Sequence, residues 1–212
     1  MATLMRRVLN RVRPPDVDAT QAWFRLDVSD PERPRRAFDG TFEVRECTVD
    51  DLPLLGQLPG DPAVVTPSGR RAERRMRDGG TPWLSIENGK VAFGCWIFTG
   101  RGPVCGGRDG GAPLPDDGVL LEDSQAVPTF RGRGVAPATW TAIADRLAER
   151  GIRSIYTKVD VENIPSTKAV QKAGFREVGK MRVVRTRGRF TTSVTLDTAA
   201  DDADRWILAL AT

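Results

Sequence analysis

The sequence predicts a mixed α/β chain: a central, mostly antiparallel sheet of roughly six or seven strands with helices on both faces. Three observations carry that prediction. Strand-like segments outnumber helical ones. Two pairs of them are joined by turn-forming dipeptides into hairpins. Between the hairpins lies a strand–helix–strand–helix run, which requires crossovers rather than tight turns.

The elements follow in order. Residues 1–40 read as an N-terminal extension, helical over Leu4–Val12 and otherwise loop. They are rich in Arg, Asp and Pro and hold one apolar patch, Trp23-Phe24. From Thr41 the pattern becomes regular. Phe42–Thr48 alternates as a half-buried strand does, and Asp50 or Asp51 caps a short helix through Leu55. Ser68–Arg77 is a strongly basic helical stretch. Trp83–Ile86 and Val91–Phe98 form a hairpin around Asn88-Gly89, a pair that accepts the left-handed turn such hairpins need. Residues 100–117 are rich in Gly and Pro and read as a loop. Val119–Val127 is a strand. Val135–Arg150 is a helix with Ala136, Trp140, Ile143 and Leu147 on one face. Pro137 falls in its first turn, where a missing N–H costs little, and Gly151 ends it. Ile152–Val159 is a strand, Ser166–Lys172 a short helix stopped by Ala173-Gly174, and Phe175–Arg185 with Arg189–Leu196 a hairpin around Arg187-Gly188. A short helix, Asp204–Leu210, falls in the C-terminal tail 200–212. The main domain is thus placed at 41–199.

Composition narrows the chemistry. The chain of 212 residues contains no histidine, which excludes Ser-His-Asp and Cys-His catalysis and any His-ligated metal. A catalytic base must then be a carboxylate, a thiolate, a water chain or the single tyrosine, Tyr156. Cys47, Cys95 and Cys105 are irregularly spaced with no CxxC pair, so buried inert thiols are expected rather than disulfides or a structural zinc; no metal is expected. No stretch approaches the ~18 apolar residues of a membrane span. The basic N-terminus lacks a signal-peptide core, and a cytoplasmic location is the expectation. A net charge of +4 does not by itself point to nucleic acid.

The informative segment is Arg131-Gly-Arg-Gly-Val-Ala136, between a strand and a helix. Amides at a helix start lack intrahelical partners and the helix dipole favours an anion there. Gly132 and Gly134 let the backbone approach a ligand, and Arg131 and Arg133 add charged donors. A pyrophosphate is the natural guest. The dinucleotide fingerprint GxGxxG fails here, because Pro137 stands at the third glycine and too little chain follows to complete a doubly wound sheet.

Arg131-x-x-Gly134-x-Ala136 resembles the [QR]xxGx[GA] pyrophosphate motif of the GNAT N-acetyltransferases. Asn163-x-x-Ser166 and Lys172-Ala-Gly-Phe175 resemble that family's next landmark, an Asn opening a short helix that ends in K-x-G-F. The resemblance spans about residues 41–197. It implies acetyl-CoA as donor, a primary amine of a small molecule, peptide or protein as acceptor, and direct attack of the amine on the thioester. It implies a splayed parallel strand pair whose gap pantetheine fills. Ala126, Val127, Arg131, Gly132, Arg133, Gly134, Val135, Ala136, Asn163 and Ser166 would bind the cofactor, and the N–H of Ser124 would hold the thioester carbonyl. The family's usual acid maps near Leu120, which cannot serve. Glu122, one strand period on, is the candidate base, with Asp123 taking over if a bulge swaps the faces. The tyrosine that often protonates the leaving thiolate maps to Val170.

That departure keeps a second expectation open, a non-catalytic acyl-CoA-binding or regulatory module. A third comes from Arg70, Arg71, Arg74, Arg75 and Arg77, whose charge run would suit nucleic acid and would betray itself by steep salt dependence; a solvated face is the plainer expectation, and nucleic acid is not expected as a partner. Asn163 could serve only as a helix cap. No membrane association is expected, and a homodimer is left open.

Overall fold

The computed structural model describes residues 17–59, 70–104, 111–186 and 189–212, without the side chains of Arg70, Arg71 and Phe190. The expected helix Leu4–Val12, the turn Arg187-Gly188, Ser68 at the start of the basic stretch, and Cys105 lie outside the described residues.

Ten strands occur in chain order among these residues: β1 (Val17–Asp27), β2 (Glu43–Glu46), β3 (Gly80–Glu87), β4 (Lys90–Thr99), β5 (Arg101–Gly102), β6 (Ala112–Pro113), β7 (Gly118–Ala126), β8 (Ser154–Asp160), β9 (Arg176–Thr186) and β10 (Arg189–Leu196). The helices are α1 (Leu52–Leu55), α2 (Arg70–Arg77), α3 (Val135–Glu149) and α4 (Ile164–Lys172), with a 3-10 helix over Asp202–Leu210. Eight strands form one sheet in the order β10-β9-β1-β8-β7-β4-β3-β2, while β5 and β6 make a separate two-stranded ribbon. Among the described residues, only β7 and β8 pair in parallel in the large sheet. The mixed α/β class read from the sequence is the observed one.

The count of six or seven strands is corrected to eight, and the reason is β1. Val17–Asp27 lies inside the predicted extension, yet it pairs with β9 on one side and β8 on the other. Its run Ala22–Leu26 is buried throughout. A strand covered on both faces does not alternate, so the polar–apolar period that marked the other strands is missing. Its arginine, Arg25, is itself buried, held by Asp201 at 2.6 Å and by the fully buried Asp204 at 3.1 Å, the N-cap and a first-turn residue of the C-terminal 3-10 helix. The segment between β1 and β2 is packed as well. Arg33 pairs with Asp145 of α3, and the Arg36 guanidinium donates to the carbonyl of Lys172 at the end of α4 (3.0 Å). The Gly/Pro-rich segment also differs from a plain loop, since Arg101–Gly102 pairs with Ala112–Pro113.

The sheet separates two apolar cores. One packs α3 and α4, through Val135, Trp140, Ile143, Leu147 and Val170, on Phe93, Leu121, Ile155 and Val159. The other packs Leu55, Ala72, Ile207 and Leu210 on Trp23, Trp96, Leu120 and Tyr156. The Asn88-Gly89 turn forms as expected, both residues having positive φ (50° and 73°). Helices thus cover both faces, and the start of α3 lies beyond the C-terminal end of the central strand β7.

Candidate active site

β7 and β8 are hydrogen-bonded from Gly118↔Ser154 to Leu121↔Thr157 and then part. Thr157 Oγ1 donates to the carbonyl of Leu121 (2.9 Å), closing the paired end. β7 continues to Ala126 and β8 to Asp160 with a gap between them. The gap arises in part from β7 itself. Its ladder with β4 pairs Glu122 with Trp96 and Gln125 with Gly94, so two residues, Asp123 and Ser124, stand opposite one, Cys95. Asp123 adopts a left-handed φ of 50°. This is a β-bulge, which adds a residue and reverses the facing of the residues beyond it.

The bulge overturns one premise of the sequence-based site. Glu122 does not share a face with Ala126 as an unbroken strand would dictate. Glu122 sits with Trp96 on the α2 side, whereas Ala126 packs on the α3 side. Asp123 and Ser124 have no partner on β4 or β8, which leaves backbone groups to face the gap.

On the α3 side a cleft of about 700 Å³ opens along the parted strands. Ser124, Gln125 and Ala126 line one wall, the turn Arg131, Gly132, Gly134, Val135 and Ala136 the end, and Asn163, Ser166, Lys168 and Lys172 the opposite wall. Phe93, Phe130 and Trp140 give it an apolar floor. Gly134 is the N-cap of α3 with φ 72°, and an added Cβ would meet nothing within 4 Å. The turn therefore keeps glycine for its backbone conformation and open approach rather than for lack of room. Pro137 contributes no N–H, so the free amides of the first turn are those ahead of it.

Nine of the predicted site residues line this cleft: Ser124, Ala126, Arg131, Gly132, Gly134, Val135, Ala136, Asn163 and Ser166. Three do not. The amide of Val127 is bound to the carbonyl of Ala92 (2.9 Å). Arg133 forks onto Glu87 with both guanidinium nitrogens (2.7 and 3.0 Å) and covers the Phe42 and Phe130 rings, so its charge is spent on the hairpin turn. Glu122 lies on the other face. Asn163 does cap α4, accepting from Ser166 N–H at 3.2 Å, and lines the cleft as well. Sequence reasoning missed Lys168 and Lys172, which line the cleft one helical turn apart on α4. Their i,i+4 spacing after the Asn cap was the available signal.

The titratable groups divide clearly. Burial drives the Glu122 carboxyl above the usual range, and Lys158, ion-paired to it across the gap, pulls in the opposite direction. Asp123 is paired with Arg75 of α2. Tyr156 is buried with its hydroxyl donating to the carbonyl of Ala203 (2.7 Å), and burial raises its pKa. Burial pushes the Cys47 thiol up to about 12 and raises that of Cys95 as well, so neither presents a thiolate nucleophile. Val170 is 2% exposed and belongs to the α3-side core.

A parted parallel strand pair, a bulge beside it and a glycine-turned helix start at its end define a GNAT-like fold. Residues 57–175, more than half of the chain, match the acetyltransferase (GNAT) family, and the chain belongs to that family. No curated protein sequence matches it. Solved structures share the fold at low identity. A putative GNAT-family acetyltransferase from Novosphingobium aromaticivorans aligns with TM-score 0.53 and 16% identity over 80% of this chain and 65% of that one. A tandem GNAT protein from the clavulanic acid biosynthesis pathway gives 0.55 and 14%, over 92% and 59%. A Drosophila protein gives 0.55 and 13%, over 89% and 58%. The chain therefore spans about three fifths of the length of these structures.

Proposed function

We propose that the protein is an N-acetyltransferase that moves the acetyl group of acetyl-CoA to a primary amine by direct attack. The observation that carries this is the cleft itself. It runs from an anion-suited helix start to the gap between β7 and β8. Here the amides ahead of Pro137, with Arg131, Lys168 and Lys172, hold the phosphates. Pantetheine lies along Ser124–Ala126, and the unladdered bulge presents the Ser124 N–H to the thioester carbonyl. Glu122, on the opposite face of the gap, takes the proton of the attacking amine. Asp123 is the lesser candidate, because Arg75 holds its carboxylate.

A second reading is favoured by one observation. Val170 replaces the expected tyrosine and is packed in the core, which suits a protein that binds acyl-CoA without turning it over. The two readings separate in one pair of measurements. Acetyl-CoA raises the melting temperature under both, by mass action on the folded state. Release of free thiol from acetyl-CoA in the presence of an amine panel occurs only under the first. Gly134→Glu places a carboxylate in the anion site and should abolish the thermal shift while the chain still unfolds cooperatively. An undiminished shift in that variant, or no shift in the native protein at millimolar acetyl-CoA, sinks both.

A further inference from the structure

Glu122 and Lys158 are the first residues on β7 and β8 beyond the last paired positions, Leu121 and Thr157. Their facing is fixed from both sides. Glu122 pairs with Trp96 on β4 and Lys158 with Trp23 on β1, and both tryptophans belong to the α2-side core. The carboxylate and the ammonium therefore meet across the mouth of the gap, ion-paired, with side chains only 13% and 7% exposed. The ammonium also donates to the carbonyl of Pro103 (3.0 Å) and lies 5.9 Å from the centre of the Trp23 ring. Burying two charges carries a large desolvation cost that a pair of apolar side chains would avoid. A carboxylate–ammonium pair at the point where a strand pair opens therefore calls for a chemical explanation.

The reaction needs a proton donor for the departing thiolate, and among the described residues the other candidates weighed are committed. Val170 is apolar, the Tyr156 hydroxyl is bound under the C-terminal helix, the Cys47 and Cys95 thiols are buried, and the chain has no histidine. Among the described residues, the charged groups acting on the pair are Asp123 on β7 and Arg75 on α2, which pair with each other; β1 presents the uncharged Trp23.

We infer that Lys158 protonates the leaving thiolate and works with Glu122 as one proton-exchanging pair, an inference that rests on the acetyl-transfer reading above. The amine lone pair forms the C–N bond and the C–S bond breaks with its electrons going to sulfur. Glu122 accepts one N–H proton. Lys158 gives a proton to the thiolate, and the proton on Glu122 then crosses the ion-pair hydrogen bond to restore the ammonium. An amide and free CoA leave, and both side chains return to their starting states.

The test compares native protein, Lys158→Arg and Lys158→Met by acetyl-CoA thermal shift, steady-state thiol release and the pH profile of kcat. Arginine keeps the positive charge but does not release a proton near neutrality. A purely structural or electrostatic lysine is therefore rescued by arginine, whereas a proton donor is not. The expected result is a retained thermal shift in Lys158→Arg, KM for acetyl-CoA little changed, kcat lower on the order of 10²-fold, and loss in the variant of any falling alkaline limb found with the native protein. Lys158→Met should lose activity to the same extent. Lys158→Arg within about threefold of native kcat, against the 10²–10⁴-fold range of general acid–base catalysis, or an alkaline limb that persists in it, overturns the inference alone. A native protein that binds acetyl-CoA and releases no thiol with any amine overturns both the inference and the acetyl-transfer reading.

Discussion

Glu122 is the residue at which burial and charge pairing contend. Burial raises its pKa above the ordinary carboxylate value of about 4.3, and Lys158 opposes the rise. A base must be ionised to act, so kcat/KM should fall as pH falls through that raised value, giving an acid limb above the usual carboxylate range. Glu122→Gln should remove the limb and lower kcat/KM on the order of 10²-fold. An unchanged limb in that variant would transfer the role to another group. The linked stability has the opposite sense. The folded chain favours the protonated carboxyl, so this contribution is present below the unfolded pKa and is lost as pH rises through the folded one. The same residue shows how far a motif can be read. The sequence identified Glu122 from its position two after Leu120, but its facing relative to Ala126 depended on an extra residue in β7. Asp123 adopts φ 50° with nothing in its local sequence to announce it, whereas at Gly134 the glycine itself advertised the turn.

At the scale of elements, local signals recovered whatever local physics determines. Asn88-Gly89 set its hairpin, the 3.6-residue period of Trp140, Ile143 and Leu147 set α3, and Asn163 capped α4. β1 escaped because its evidence is distant: an arginine-bearing, doubly covered strand makes sense only once the C-terminal 3-10 helix supplies Asp201 and Asp204. That helix is held by reciprocal caps, Asp201 accepting from the Ala203 N–H (2.9 Å) and Asp204 from the Asp201 N–H (3.0 Å). Arg176 of β9 joins the same carboxylates at 3.0 and 3.1 Å. Asp204→Ala should leave Arg25 buried against a lost partner and cost about 3–5 kcal/mol. Calorimetry would register that as a fall in melting temperature of about 10 °C for a chain of this size. Arg25 and its hydrogen bond hold Asp201 below the usual carboxylate range, against the opposing effect of partial burial. Its contribution is therefore present above the unfolded pKa of about 3.9 and is lost as pH falls through the lower folded value. A native-like melting temperature in Asp204→Ala would show that the cluster is held by packing alone.

For the whole molecule, the residues that carry the motif and the residues that carry the fold are different sets. The family match ends at Phe175 and begins at Gln57, so it contains β7, the turn, α3, β8 and α4 in full. It omits β1, β9 and β10, which lie beyond β8 in the sheet order. In a fragment limited to 57–175, β8 would become an edge strand with unpaired backbone groups. Leu120 and Tyr156 would lose the cover of Trp23, Val178 and Met181 from β1 and β9, and of Ile207 from the C-terminal helix. The gap between β7 and β8 depends on β8 being held from its far side, because its end beyond Thr157 is free of β7 and pairs only with β1, through Lys158↔Trp23, Val159↔Ala22 and Asp160↔Gln21. The cofactor cleft should therefore vanish with β1 even though every cleft-lining residue is retained. Deleting residues 1–27 from the full chain should give the same result: no cooperative thermal transition by circular dichroism and no response to acetyl-CoA. A deletion protein that melts cooperatively and is stabilised by acetyl-CoA would show instead that β7 and β8 keep their divergence unaided, and that the interior strand β1 is dispensable for the site.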